Sequence, residues 1–183
     1  MMFDHESFPR VSTILRVLDD AYAGVPPAVL EAAAARGTAL HRLCLSYLAS
    51  MDGLCEEPIV TPAYRCAYAA FQAWVKAHDV TPLAIEHPSI STKYQYRGTP
   101  DALVLCGTVP TVIDLKFTAS ILRINRVQVQ AYRRLDLYAE AKKTVLVHIN
   151  PVTGETQAQT IPNNARDWAA FLNALSVWRW RQT

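Results

Sequence analysis

The sequence carries almost no excess charge: 18 Lys and Arg stand against 16 Asp and Glu, a net of +2. That excludes a uniformly basic, histone-like polyanion binder, so any affinity for nucleic acid must come from a local patch. Long apolar runs are lacking as well. A bilayer span needs about 18 or more consecutive apolar residues, and the most apolar stretch, near residues 28–50, is broken by Glu31, Arg36, His41 and Arg42. No membrane association is expected. The opening, Met1-Met2-Phe3-Asp4-His5-Glu6, has no basic segment followed by an apolar one, so a secretory leader is not expected there. Cysteine is scarce: Cys44, Cys55, Cys66 and Cys106 include no Cys-x-x-Cys pair. With no export signal they read as reduced thiols of a cytoplasmic protein, acting as small buried hydrophobes. Glycine is scarce too, at six residues, and none builds a Walker-type phosphate loop. Internal repeats and linkers are absent.

What remains is a chain of 183 residues, 51% hydrophobic and 19% charged. It suffices for one domain with a real core and excludes disordered, collagen-like and low-complexity classes. Residues 1–80 read as helical. A short helix over 13–22 would be capped by Ser12 or Thr13, with Ile14, Leu15, Val17 and Leu18 on its apolar side. Pro27 suits the first turn of a longer helix over 27–50. Gly37 interrupts that helix, either for close packing or for a break. A third helix over 62–78 carries Tyr64, Tyr68, Phe71, Trp74 and Val75 at core spacing. Residues 81–161 switch to strand patterns. One strand is expected from Leu83 to Ile90, a second from Tyr94 through Leu105, and a third over 111–117, with the last two joined by a turn at 107–110. A helix over about 123–141, a strand at 144–149 and a partner at 157–161 follow. Asn163 or Asn164 caps a last helix within 162–183. The layout predicted is α/β with one main sheet.

Two carboxylates stand out on this framework. Asp101, in Gly98-Thr99-Pro100-Asp101, and Asp114, in Ile113-Asp114-Leu115-Lys116, lie 13 residues apart on adjacent predicted strands. A hairpin brings such positions together, and paired oxygen ligands on rigid strands suit a hard divalent cation. Strand alternation puts Asp114 and Lys116 on one face, so the lysine sits beside such an ion and can orient water or offset phosphate charge. Asp114 is embedded in an apolar run, Val112-Ile113 before and Leu115 and Phe117 after, where an unpaired charge is costly. A second Glu-x-Lys, Glu140-Ala141-Lys142, reads as a solvated helix end. Gln128 and Tyr132 share a helix face at i and i+4. Around them residues 116–143 hold seven basic side chains, Arg123, Arg126, Arg133 and Arg134 among them, against Asp136 and Glu140. Such a patch suits a polyanion, although an amphipathic helix has a charged solvent face in any case. His41, in Arg36-Gly37-Thr38-Ala39-Leu40-His41, reads by itself as a core histidine more readily than as a ligand.

In this order, Gly37-x-x-x-His41, Gly98-Thr99-Pro100-Asp101, Asp114-Leu115-Lys116 and Gln128-x-x-x-Tyr132 resemble the PD-(D/E)XK nuclease superfamily, in its RecB-like branch with small phage-type exonucleases. Val11-Ser12-Thr13-Ile14-Leu15 also looks like the opening of phage members, and the resemblance spans roughly residues 11–135. It implies a restriction-endonuclease-like core: one mixed β-sheet, with a three-strand meander, a helix and further strands, flanked by helices and preceded by a helical N-terminal part. It implies Mg²⁺ or Mn²⁺ held by His41, Asp101, Asp114 and the carbonyl of Leu115, with Lys116 positioning the attacking water. Gln128 and Tyr132 would hold the DNA backbone or the nucleophile, and Glu86 is a candidate acid behind the metal ligands. The activity implied is DNA hydrolysis, by an exonuclease at DNA ends, with a nicking or structure-specific endonuclease or a non-catalytic DNA-binding module as alternatives. A single-strand annealing protein or a homo-oligomer are the partners implied. Some relatives carry an iron–sulfur cluster, which is not expected here because no cysteine follows Cys106. Where some relatives have an acid one turn after the histidine, this chain has Leu45 and Ser46.

Overall fold

The computed structural model describes residues 7–18, 24–118 and 120–183. Three helices come first: α1 (Val11–Leu15), α2 (Pro27–Met51) and α3 (Arg65–Ala77). Five strands follow, β1 (Val80–Ile85), β2 (Ser89–Ser91), β3 (Tyr96–Gly98), β4 (Ala102–Cys106) and β5 (Val109–Lys116). Then come α4 (Arg123–Tyr132), β6 (Lys143–Ile149), β7 (Thr156–Thr160) and α5 (Ala165–Trp180). The main sheet has the order β1-β4-β5-β6-β7, with β5 and β6 parallel and the other neighbours antiparallel. A parallel pair needs a crossover, and α4 supplies it.

Helices cover both faces, so β5 is buried continuously from Thr111 to Leu115. On one face Ile113, Leu115, Val145 and Val147 pack with Leu40, Leu48, Phe71 and Trp74 of α2 and α3. On the other, Val112 packs with Val127 and Tyr132 of α4, Ile14 of α1 and Phe171 of α5. Tyr68, Phe71 and Trp74 are therefore core as expected, whereas Tyr64 is half-buried in the turn before α3, and Asn164 caps α5 by accepting from the backbone N–H groups of Arg166 and Asp167. Among the described residues no helix is long and apolar enough to cross a membrane.

Several expectations are corrected. The strand foreseen from Leu83 to Ile90 is two strands, and so is the one from Tyr94 to Leu105. β2 and β3 form a separate small hairpin inserted between β1 and β4, outside the main sheet. The cause is burial: Tyr96 is fully buried beside Phe171, with ring centroids 4.8 Å apart, and its hydroxyl donates to the Ala131 carbonyl at 2.7 Å. The β4–β5 turn is only Gly107-Thr108, where Gly107 has φ 59°, and Val109 and Pro110 already pair in β5. α4 ends at Tyr132 instead of running to 141, because Leu135 and Tyr138 are drawn into the core and the Tyr138 hydroxyl bonds the His87 carbonyl at 2.7 Å. Glu140 and Lys142 are exposed in a turn, not at a helix end.

α1 begins at Val11 without a side-chain cap, since residues 9 and 10 run along β3, with the Arg97 N–H on the Pro9 carbonyl at 2.9 Å. The expected continuation of α1 to 22 falls partly on 19–22, outside the described residues, as do His5 and the opening 1–6. Gly37 neither breaks α2 nor packs closely, for a Cβ there would meet nothing within 4 Å. The four cysteines are free, but only Cys44 is buried, and Cys55 and Cys66 are exposed.

Candidate active site

The sheet's geometry builds a polar cluster at one end of β4 and β5. Ala102 faces Ile113 across the hairpin, so Asp101, one residue before β4, lies level with Asp114. Asp101 is held from two sides. Its Oδ2 accepts the Leu115 backbone N–H at 2.6 Å, and its Oδ1 lies 2.8 Å from His41 Nε2. His41 thus reaches over from α2, on the opposite face to α4, and is neither a core histidine nor solvated: its side chain is 28% exposed. Its Nδ1 lies 3.9 Å from Glu86 Oε1. Glu86 follows β1 in the left-handed region, φ 44°, and its N–H bonds the Asp101 carbonyl at 2.9 Å. That is an uncommon conformation for a residue with a Cβ and is kept where surrounding structure enforces it.

Asp114 is 1% exposed. Its Oδ2 lies 2.5 Å from Lys116 Nζ, as strand alternation predicted, yet the approach is an ion pair without an aligned hydrogen bond. Burial pushes the Asp114 carboxyl up, to about 6, with Lys116 opposing and Asp101 adding to the rise. Burial alone would lower His41, but the hydrogen bond that its ring donates to Asp101 and the charges of Asp101, Glu86 and Asp114 outweigh it and raise its pKa. Three acids crowded around Lys116 and His41 leave a cluster that favours additional positive charge.

α4 contributes the other wall. Gln128 Nε2 donates to Tyr132 Oη at 2.9 Å, one turn apart. The buried Tyr132 hydroxyl is pushed up by burial and then by Asp114 and Asp101, so it lies within the field of both carboxylates. A Cβ on Gly98 would sit 3.0 Å from the Tyr132 ring and 3.2 Å from Leu135, so a side chain there would have to push these groups aside.

The expected cationic patch divides. Arg126 pairs with Asp167 of α5 at 3.3 Å. Arg134 donates to the Gln130 carbonyl at 2.7 Å and to Asn163 Oδ1 at 2.6 Å, and stacks 4.2 Å over the Trp168 ring. Arg126 and Gln130 lie on one stripe of α4, turned away from the 128 and 132 stripe, and Arg134 continues it in the turn just past the helix. Arg126 and Arg134 are therefore joints to α5 and not a free polyanion surface, which leaves Arg123, exposed, and Arg133, half-buried, of the original four.

The donor set fits a divalent cation chemically. For bonds of about 2.1 Å in an octahedral shell, neighbouring ligand atoms lie about 3 Å apart, close to the 2.8 Å between His41 Nε2 and Asp101 Oδ1. Among the described residues, however, no group of three or more His, Cys, Asp or Glu side chains already surrounds one metal position. Asp114 is turned to Lys116, so ion binding requires that pair to loosen.

No family model and no curated protein matches the chain. Solved structures of similar shape include that of SSO0001, at 15% identity over 95% of this chain and 76% of the other, with a TM-score of 0.47. Alkaline exonuclease LHK-Exo from Laribacter hongkongensis is similar at 11% identity over 95% of this chain and 87% of its own, with a TM-score of 0.45. Its complex with dAMP gives 12% identity over the same shares and a TM-score of 0.48.

Two arginines escaped sequence reasoning. Arg10 and Arg97 line a cavity of about 220 Å³ together with Ser12, Thr99 and Tyr132. The Arg97 Nε is buried with no hydrogen-bond partner. The residues lie 87 positions apart and meet only because the chain before α1 runs beside β3, so no local pattern could have found them.

Proposed function

We propose that the protein is a Mg²⁺- or Mn²⁺-dependent deoxyribonuclease of the PD-(D/E)XK kind that acts at DNA ends. The observation that carries this reading is the meeting of Asp101, Asp114, Lys116 and His41 from three separate elements at one sheet end, with a buried Asp114 whose charge is incompletely compensated. His41, Asp101, Asp114 and the Leu115 carbonyl would hold the cation, which when bound supplies positive charge to the scissile phosphate. Lys116, on the face it shares with Asp114, would orient the attacking water and face the charge that develops on the phosphate oxygens. Tyr132, fixed by Gln128, would donate to a phosphate oxygen. Its high pKa keeps it a donor at neutral pH.

Action at ends is supported by the Arg10–Arg97 cavity, which shares Tyr132 with the candidate site. A small concave site lined by two arginines and three hydroxyl-bearing residues suits a terminal phosphate better than a continuing duplex.

The test is cleavage of a linear duplex labelled at either end and of a closed circle, with and without Mg²⁺ or Mn²⁺, with Lys116→Ala as control. Metal-dependent loss of the linear DNA alone is the expected result, and the label released first gives the polarity. Cutting of the circle would replace the exonuclease with an endonuclease. Absence of metal-dependent cutting in both would leave a DNA-binding module.

A further inference from the structure

On the α2 side of the carboxylates a second concavity, of about 370 Å³, runs between α2 and the end of β1. His41 and Glu86 are part of its lining, so it adjoins the candidate site. Its floor is apolar, from Leu45, Ala49 and Ile85, and Arg42 and Ser46 line its wall. Arg42 is exposed and makes no ion pair or hydrogen bond with another side chain among the described residues. It contrasts with Arg126 and Arg134, which are committed to α5. An unengaged guanidinium one residue from the candidate metal histidine, above an apolar floor, matches a chain of alternating phosphates and apolar sugar faces.

We propose that this cleft carries the polynucleotide strand on the side of the scissile phosphate away from the Arg10–Arg97 cavity, with Arg42 pairing with the next phosphate along. The proposal takes its ligand class from the nuclease reading. The two cavities then flank the carboxylates, one reached past Tyr132 and one past His41.

Cys55 also lines this cleft and is exposed, whereas Cys66, equally exposed, packs elsewhere, against the Thr153 carbonyl at 3.3 Å. One chain thus holds a reporter and its internal control. In metal-free protein, where cutting is not required, maleimide labelling of both thiols is followed with and without a single-stranded deoxyoligonucleotide of about a dozen nucleotides. Saturating oligonucleotide is expected to slow Cys55 about fivefold or more while changing Cys66 less than about twofold. Arg42→Ala is expected to weaken oligonucleotide binding about tenfold and to lower the slope of log K against log salt by about one, while Arg42→Lys keeps that slope. Arg42 is exposed, so these variants retain the fold.

Binding with Cys55 labelled at its free rate, or an Arg42→Ala protein with unchanged affinity and slope, overturns the proposal. Absence of binding by the unaltered protein overturns it together with the nuclease reading. Protection of Cys55 and loss on Arg42→Ala without any metal-dependent cutting supports the cleft and overturns the nuclease reading alone.

Discussion

Two buried polar clusters lie about α4, and they are built on opposite terms. Between α4 and α5 every group has a partner. Gln130 is fully buried, its Nε2 donates to the Pro162 carbonyl at 2.7 Å, and its Oε1 accepts from Arg134 at 3.1 Å and from the Asn164 N–H at 3.4 Å. Arg134 in turn reaches Asn163 and Trp168, and Arg126 reaches Asp167. At the sheet end, by contrast, the buried Asp114 leans on Lys116 alone among the described side chains, and three carboxylates share His41 and Lys116. A closed network fixes the angle between two helices. An open one stores unfavourable charge that a ligand can relieve, which is the usual signature of a working site.

The largest separation between the clusters is expected in catalysis. Lys116→Ala should lower DNA cleavage by about a thousandfold or more, equivalent to about 4 kcal/mol of transition-state stabilisation. Circular dichroism should show the fold intact. Asp114→Ala should abolish cutting as well and weaken Mg²⁺ or Mn²⁺ binding, which calorimetry measures, whereas Lys116→Ala, which frees Asp114, should keep metal binding intact or strengthen it. Cutting retained by Asp114→Ala would remove the distinction between the clusters.

Stability should respond with opposite signs. Arg134→Ala opens the closed network and should cost about 1–3 kcal/mol in urea unfolding, with cleavage per folded molecule unchanged. Asp114→Asn should stabilise the metal-free protein near neutral pH, by about 2 kcal/mol at most because Lys116 loses its partner.

The same asymmetry predicts a pH dependence. Folded Asp114 titrates at about 6, above the ordinary aspartate value, so between about 4 and 6 the folded chain holds more protons than the unfolded one. Stability therefore falls as pH rises through that window. His41 is raised too, so the stability from its protonated form is complete below 6.5 and is lost as pH passes its folded value. Both effects have one sign: the Tm of metal-free protein should decline from pH 5 to pH 8, and Asp114→Asn should flatten the lower part of the decline. The smallest effect is expected at Arg126, whose partly exposed pair with Asp167 should contribute less than about 1 kcal/mol on Arg126→Ala.

Much of the site was legible because its spacings are local. Asp114 and Lys116 share a strand face, Gln128 and Tyr132 share a helix face, and the 13-residue interval between Asp101 and Asp114 closes a two-residue hairpin. The inserted β2–β3 hairpin was not legible. Its residues look like extensions of β1 and β4, and only burial of Tyr96 against α4 and α5 pulls them out of the main sheet. The fate of the arginines was equally hidden, since a run of basic residues looks the same whether it faces solvent or Asp167, Asn163 and Trp168.

The sequence by itself determined the α/β order, the long α2, the paired carboxylates and the lysine beside them, because periodicity and short-range pairing are set within a few residues. Tertiary structure alone decided that His41 reaches Asp101 across the sheet end, that Arg126 and Arg134 serve α5, and that Arg10 meets Arg97. Those contacts join residues tens of positions apart. Their energies depend on burial and on the partner's charge, and neither exists until the helices have closed over both faces of the sheet.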